Sequence, residues 1–159
     1  MNAETGRYVG EIMTRNVISV TREMDLTEAI RVMDRENLSA IPVVDAGGRV
    51  CGILSNSDLV SFAYDLQSDI SVLPFVSNVV RDSMINALSE DNQSAKVTKA
   101  MTDDVESVKP QDEISTAARI MTEMSIHHLP VVNQEHQPIG MIAASDIVRT
   151  VAYKPEGLI

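Results

Sequence analysis

Residues 9–64, moved forward by 88 positions, overlie residues 97–152 without a gap. Met13-Thr14 falls on Met101-Thr102, and Pro42-Val43-Val44 on Pro130-Val131-Val132. Gly52 falls on Gly140, and Ser57-Asp58 on Ser145-Asp146. About 16 of the 56 positions are identical, and most of the others exchange one aliphatic residue for another. A period this long is not the short unit of an open solenoid. It predicts two copies of one module related by a pseudo-two-fold axis, with function at or near the seam between them.

A chain of 159 residues fits one domain or two small, tightly joined ones, and is long enough to bury a core. That core must be aliphatic: there is no Trp, Phe and Tyr are scarce, and nine Met serve as fillers. The formal charge of −10 argues against a nucleic-acid or anionic-membrane binder, since Lys and Arg hold both. A single cysteine, Cys51, excludes an internal disulfide and a Cys-based zinc cage within one chain. It occupies the position of Ile139 in the second copy, which suits a buried core thiol. No apolar run approaches the ~20 residues of a membrane span, and the N-terminus lacks a secretory apolar stretch. A cytoplasmic location is therefore expected.

Each copy reads in the same order. Val17-Ile18-Ser19-Val20, and Val105 to Val108, form a short β-rich run. Leu26, Ala29, Ile30 and Met33 then recur at helical spacing, as do Ile114, Ala117, Ala118, Met121 and Met124. Asp25 and Asp112-Glu113 put acid at the helix starts, where the macrodipole favours it. A strand follows at Ala40 to Asp45, then a tight turn at Asp45-Ala46-Gly47-Gly48, weaker at Asn133 to His136. Val50 to Leu54, and Ile139 to Ile142, return as hairpin partners, and a second helix starts at Ser57-Asp58 and Ser145-Asp146. The expected fold class is α/β (α+β): a β-α-β-β-α motif at 9–64 and again at 97–152, packed as one module. The spacer at 65–96 carries helical spacing from Val76 to Leu88 behind Pro74, which predicts an extra helix, and then a polar tail.

The sharpest local pattern is Gly52-Ile53-Leu54-Ser55-Asn56-Ser57-Asp58, a strand turning into a helix through small hydroxyl residues. A helix N-terminus offers free N–H groups and partial positive charge, a natural seat for phosphate. Ser55 and Ser57 could add hydrogen bonds to phosphate oxygens, and the Asp58 carboxylate could accept two bonds from a ribose diol. Ser55-x-x-Asp58 equally has the form of a capping box. The second copy keeps Asp146 where Ala143 has replaced the capping serine.

His127-His128 precedes the Leu129-Pro130-Val131 strand at the positions of Ser39-Ala40. Neighbours on a strand point to opposite faces, so the two are a poor pair for one metal ion, and no metal site is expected. A surface pair without a role and an anion contact from one imidazole both fit. An ordinary pKa of about 6.5 would make such a contact pH-sensitive. No catalytic signature is present: no Gly-x-Ser-x-Gly elbow, no Gly-x-x-x-x-Gly-Lys loop and no His-Glu-x-x-His.

The order Met-Thr, Val-rich strand, helix ending in Met, Leu38-Ser39-Ala40-Ile41-Pro42-Val43-Val44-Asp45, then Gly52 through Val60 resembles a CBS motif. The second copy, from Ala100-Met101-Thr102 through Ile126 to Val132 and on to Ser145-Asp146-Ile147-Val148, resembles it as well. The resemblance implies a tandem CBS pair, or Bateman module. Such pairs commonly bind adenosine-containing ligands in two clefts between the motifs. Carried over residue by residue, it implies a first ligand site at Met13, Arg15, Val17, Leu38, Ser39, Ala40, Pro42, Ser55, Ser57 and Asp58. The second would comprise Met101, Asp103, Val105, Ile126, His127, His128, Pro130, Ser145 and Asp146. Ribose would lie on Asp58 and Asp146, and phosphates of the first site against His127 and His128. Ala143 removes a hydroxyl from the second site, so the Asp58 pocket is expected to be the stronger.

The implied function is a non-catalytic sensor of AMP, ADP, ATP or S-adenosylmethionine, with no required cofactor. Low positive charge favours AMP or S-adenosylmethionine, and ATP would need Mg²⁺ to offset its charge. Output would pass through an effector protein or a homodimer packed through its helices, for which the Met-rich faces ending at Met33 and Met121 to Met124 are suited. Core packing accounts for the same methionines. The alternative is a ligand-free dimerisation scaffold with degenerate clefts.

Overall fold

The computed structural model describes residues 7–66 and 95–153. The expected helix near Val76 to Leu88 lies outside them. The protein is a mixed α/β structure with two sheets. Its elements run α1 (Val9–Ile12), β1 (Thr14–Arg15), β2 (Val20–Thr21), α2 (Leu26–Arg35), β3 (Ala40–Val44), β4 (Val50–Ser55) and α3 (Asn56–Leu66). A 3₁₀ turn (Val97–Lys99) then leads to β5 (Thr102–Asp103), α4 (Ile114–Met124), β6 (His128–Val132), β7 (Pro138–Ala143) and α5 (Ala144–Ala152).

The described residues of Ile18–Gly47 and Cys51–Asp104 form one compact unit, and those of Met1–Val17, Gly48–Val50 and Val105–Ile159 another. These units are not the two sequence copies. Each is built from the body of one copy and the head of the other. In the first, henceforth the Asp58 unit, β5 from the second copy pairs antiparallel with β4, Gly52 opposite Asp103 and Ile53 opposite Thr102. In the second, the Asp146 unit, β1 from the first copy pairs with β7, Arg15 opposite Gly140 and Thr14 opposite Met141.

The heads are tied down by matching hydrogen bonds. Val97 N–H donates to the Met24 carbonyl at 3.0 Å, Thr98 N–H to Arg22 at 3.3 Å, and Leu26 N–H to Ala95 at 2.7 Å. The equivalents in the Asp146 unit are Val9 to Asp112 at 2.9 Å, Gly10 to Pro110 at 2.8 Å, and Ile114 to Arg7 at 2.9 Å. Each head also inserts side chains into the core. Val97 and Met101 join Leu26, Ile30, Met33, Ile41, Val43 and Leu54 in one cluster. Val9 and Met13 join Val108, Ala117, Met121, Leu129, Val131 and Ile142 in the other. Full burial of each such side chain contributes about 1.5–3 kcal/mol, so the exchanged heads belong to the stability of the unit that receives them.

The helical spacing is realised in α2, where Leu26, Ala29, Ile30 and Met33 are all buried. In α4, Ile114, Ala117 and Met121 are buried, while Met124 is half exposed. Met33 and Met121 are therefore core residues, and only Met124 of that set faces outward. Asp25 and Glu113 stand at the two N-caps without a capping side-chain bond. Instead they pair with Lys96 at 2.6 Å and Arg7 at 2.9 Å.

The expected strand at 17–20 is mostly absent. Pairing starts at Val20, which lies parallel to Val43, and its counterpart is a lone bridge between Val108 and Val131. The physical reason is a corner. Asn16 and Asp104 have φ of 54° and 49°, and there the chain turns out of the short strands β1 and β5. With these two-residue strands ahead of the expected one, the first copy reads β-β-α-β-β-α, while in the second the bridge at Val108 stands where the first has β2. The left-handed corners keep the 88-residue spacing: Asn37 and Ser125 (53° and 54°) follow α2 and α4, and Gly48 and His136 (75° and 63°) close the hairpins. In the first hairpin Gly47 N–H donates to Asp45 Oδ1 at 2.9 Å, and in the second Gln137 N–H donates to Asn133 Oδ1 at 2.8 Å. Asx chemistry thus compensates for the missing glycines of the weaker turn.

Candidate functional site

Strand β4 runs into α3 without a loop, which makes Ser55 the N-cap and Asp58 the third helical residue. Ser55 N–H donates to Asp58 Oδ2 at 2.7 Å, and Asp58 N–H donates back to Ser55 Oγ at 3.3 Å. This is the reciprocal capping box. The Ser55 hydroxyl also donates to Oδ2 at 2.5 Å. Oδ1 accepts from the Thr102 hydroxyl at 2.7 Å, contributed by β5 of the second copy. Three donors thus converge on one carboxylate.

The equivalent carboxylate is far less engaged. Asp146 Oδ2 accepts from Ala143 N–H at 2.8 Å, and Arg149 Nη1 stands 3.8 Å from Oδ1, too far for a hydrogen bond. Ala143 has no hydroxyl to turn onto it. The Asp146 side chain is 17% exposed. The hydroxyl that favoured Asp58 in the sequence is therefore spent inside the protein, and the carboxylate with spare acceptors is Asp146.

The helix ends are also partly used. Asn56 N–H donates to the Ser39 carbonyl at 3.0 Å, and Ala144 N–H to the His127 carbonyl at 2.9 Å. These bonds bring residues 39 and 127 against the start of α3 and α5 respectively. Ser39, Ala40, Ser55 and Asp58 gather in the Asp58 unit, while His127, His128, Ser145 and Asp146 gather in the Asp146 unit. Ser57 and Ser145 are exposed beside each carboxylate.

His128 lies opposite Ala143 in the β6–β7 ladder and is partly buried, whereas His127 is exposed. Burial, and then the neighbouring His127, push the His128 imidazole below its ordinary pKa, with Asp146 pulling the other way. His136, the third histidine, occupies the hairpin corner.

The remaining candidates divide by burial. Met13 and Met101 are 9% and 8% exposed and pack as core residues against Gly140 and Gly52. Ala40, Pro42 and Pro130 are buried strand residues; Val17, Leu38, Val105 and Ile126 are partly buried; Asp103 is exposed. Arg15 Nη2 donates to the Gly10 carbonyl at 2.6 Å, beside a shallow depression lined by Tyr8, Glu11, Pro110 and Gln111. The heads are distributed crosswise: Met101 and Asp103 share a unit with Asp58, and Met13 and Arg15 with Asp146.

Thr102 is the functional candidate that sequence reasoning passed over. Its signal was available, because Thr14 and Thr102 are a conserved polar identity within the repeat beside the two methionines. Cys51 is partly buried against the core of its unit, and burial raises its thiol pKa, as a packed thiol requires.

Comparison with known proteins places this architecture. The CBS domain family model matches residues 9–65 and 97–153. The chain is 30% identical to uncharacterized protein MJ1426 of Methanocaldococcus jannaschii over 152 residues, 90% of each chain. It is 25% identical to the homoserine O-acetyltransferase of Methanohalobium evestigatum, covering 91% of this chain but only 24% of that enzyme. Among solved structures, CBSX2 in complex with AMP superposes with a TM-score of 0.67 at 21% identity, covering 92% of this chain and 97% of that one. The CBS domain pair of protein MJ0100, in complex with 5′-methylthioadenosine and S-adenosyl-L-methionine, gives 0.68 at 20% identity, covering 93% and 98%. With two family matches spanning most of its length and, twice over, a strand running straight into a helix whose third residue is Asp58 or Asp146, the chain belongs to the CBS-domain family.

Proposed function

We propose that this chain is a non-catalytic regulatory module that binds an adenosine-containing nucleotide, AMP or S-adenosylmethionine before ATP. Residues 9–64 and 97–152 are its two motifs and 65–96 the spacer. The ribose diol would sit on Asp58 or Asp146, with Ser57 and Ser145 beside them. His127 and His128, grouped with Asp146, would be the nearest imidazoles for a phosphate. Output passes to a partner protein or a second copy, and the ligand acts as a switch only where two arrangements bind it with different affinity.

The observation that carries this reading is the recurrence of one carboxylate at the third position of both repeat-ending helices. The AMP and S-adenosylmethionine complexes of structurally similar CBS pairs support the ligand class. A scaffold without ligand is the second reading. It draws its support from Asp58, whose carboxylate is already taken up by Ser55 and Thr102.

Thermal unfolding against AMP, ADP, ATP with and without Mg²⁺, S-adenosylmethionine, NAD and GTP decides between them. A ligand confined to the folded state adds about 2.7 kcal/mol at a hundredfold excess over Kd. An adenosine-selective rise that diminishes in Asp146→Asn and Asp58→Ala supports the sensor. Absence of any shift supports the scaffold.

A further inference from the structure

We propose that Thr102 is an internal competitor for the ligand face of Asp58, so that an adenosine ligand fills the Asp146 position first. The inference rests on the nucleotide-binding reading above and adds to it a residue that sets the affinity of one site.

An ionised carboxylate offers about four lone-pair positions. On Asp58, Ser55 N–H and the Ser55 hydroxyl take two at Oδ2, and the Thr102 hydroxyl takes one at Oδ1. One position remains, whereas a ribose diol donates two hydrogen bonds. The diol binds in full only when an internal donor withdraws. The Ser55 bonds are partly buried and cap α3. Thr102 is exposed, and β5 is only two residues long. Thr102 is accordingly the donor that yields, its hydroxyl passing to water. Among the described residues the Asp146 carboxylate accepts a single hydrogen bond, from Ala143 N–H, which leaves room for both diol hydroxyls. The repeat equivalent of Thr102 is Thr14, in the same register against β7; among the described residues its hydroxyl makes no hydrogen bond to Asp146.

The test isolates the Asp58 site by placing Asp146→Asn in the background and titrating AMP and S-adenosylmethionine by calorimetry, each beside its 2′-deoxy analogue. Thr102→Val keeps the β-branched shape and removes the hydroxyl; Thr102→Ser restores a hydroxyl. Circular dichroism checks that each variant is folded. Thr102→Val should tighten the ribose ligands about fivefold, the scale expected for releasing one hydrogen bond. It should leave the 2′-deoxy analogues unchanged, since one donated bond fits the remaining position. Thr102→Ser should bind like the parent. Unchanged or weaker ribose binding in Thr102→Val, or equal tightening of both sugars, overturns the proposal while leaving the sensor reading intact. Failure of the unmutated chain to bind either ribose ligand overturns both.

Discussion

The carbonyl oxygen of Thr102 lies 2.6 Å from the point where a Cβ on Gly52 would stand. At the repeat equivalent, a Cβ on Gly140 would meet Met13 Sδ at 2.7 Å and the Thr14 carbonyl at 3.0 Å. Both glycines are therefore the sites where an exchanged head strand docks. The nearest obstacles differ: at Gly140 it is a Met side chain, which can swing aside, with the ladder carbonyl farther off, whereas at Gly52 it is the ladder carbonyl itself. Gly52→Ala should cost about 1–3 kcal/mol, and Gly140→Ala measurably less. Urea unfolding of both variants checks the order; equal losses would show that the docked strand yields as easily as the methionine.

The two hairpin corners offer a second comparison. Gly48 and His136 share a left-handed φ, and a side chain with a Cβ pays for that conformation where glycine does not. His136→Gly should raise stability by about 0.5–1 kcal/mol, and Gly48→Ala should lower it by a similar amount. Only an open contact, Gln137 Nε2 at 3.8 Å, faces a Cβ on Gly48, so crowding does not confuse the reading. Thermal midpoints that move the same way in both variants would refute the backbone explanation.

Much of this fold is legible in the sequence because local periodicity and burial agree. Leu26, Ala29, Ile30 and Met33 announce α2 and all four are buried. Ser55-x-x-Asp58 announces a capping box, and the box is formed. The misplaced strand has a physical origin. Val17 to Val20 has β propensity, but the corner at Asn16 delays pairing until Val20, and an Asn in a left-handed conformation gives only a weak sequence signal. The exchange of heads was not legible at all. A repeat reveals that two copies exist; either assignment of head to body buries the same Val and Met residues. Thr102 stayed hidden for that reason, since its bond to Asp58 spans 44 residues and exists only in the exchanged pairing.

The methionines separate core from surface. Met33 is fully buried and Met121 nearly so, while Met124 is 50% exposed. Met33→Ala should cost about 2–5 kcal/mol through lost burial and a residual cavity. Met124→Ala should stay within about 0.5 kcal/mol, as for a surface change away from special features. Chemical denaturation at two protein concentrations reads both values. A concentration-dependent loss in Met124→Ala would instead mark that side chain as part of a contact between copies.

His128 gives the protein a pH-dependent component of stability with a definite sign. Burial and His127 lower its pKa from the ordinary 6.5, despite the opposing pull of Asp146. The folded chain then holds this proton less readily than the unfolded chain. Between the lowered value and about 6.5 the unfolded state binds more protons, so the free energy of unfolding rises with pH there. The contribution is complete above that window and is lost progressively as pH falls through it. Replacing the imidazole with an uncharged amide removes this term, so the unfolding free energy of His128→Gln should climb less steeply from pH 5 to pH 7.5 than that of the parent. Superimposable pH profiles would show that the imidazole is as well accommodated charged as neutral.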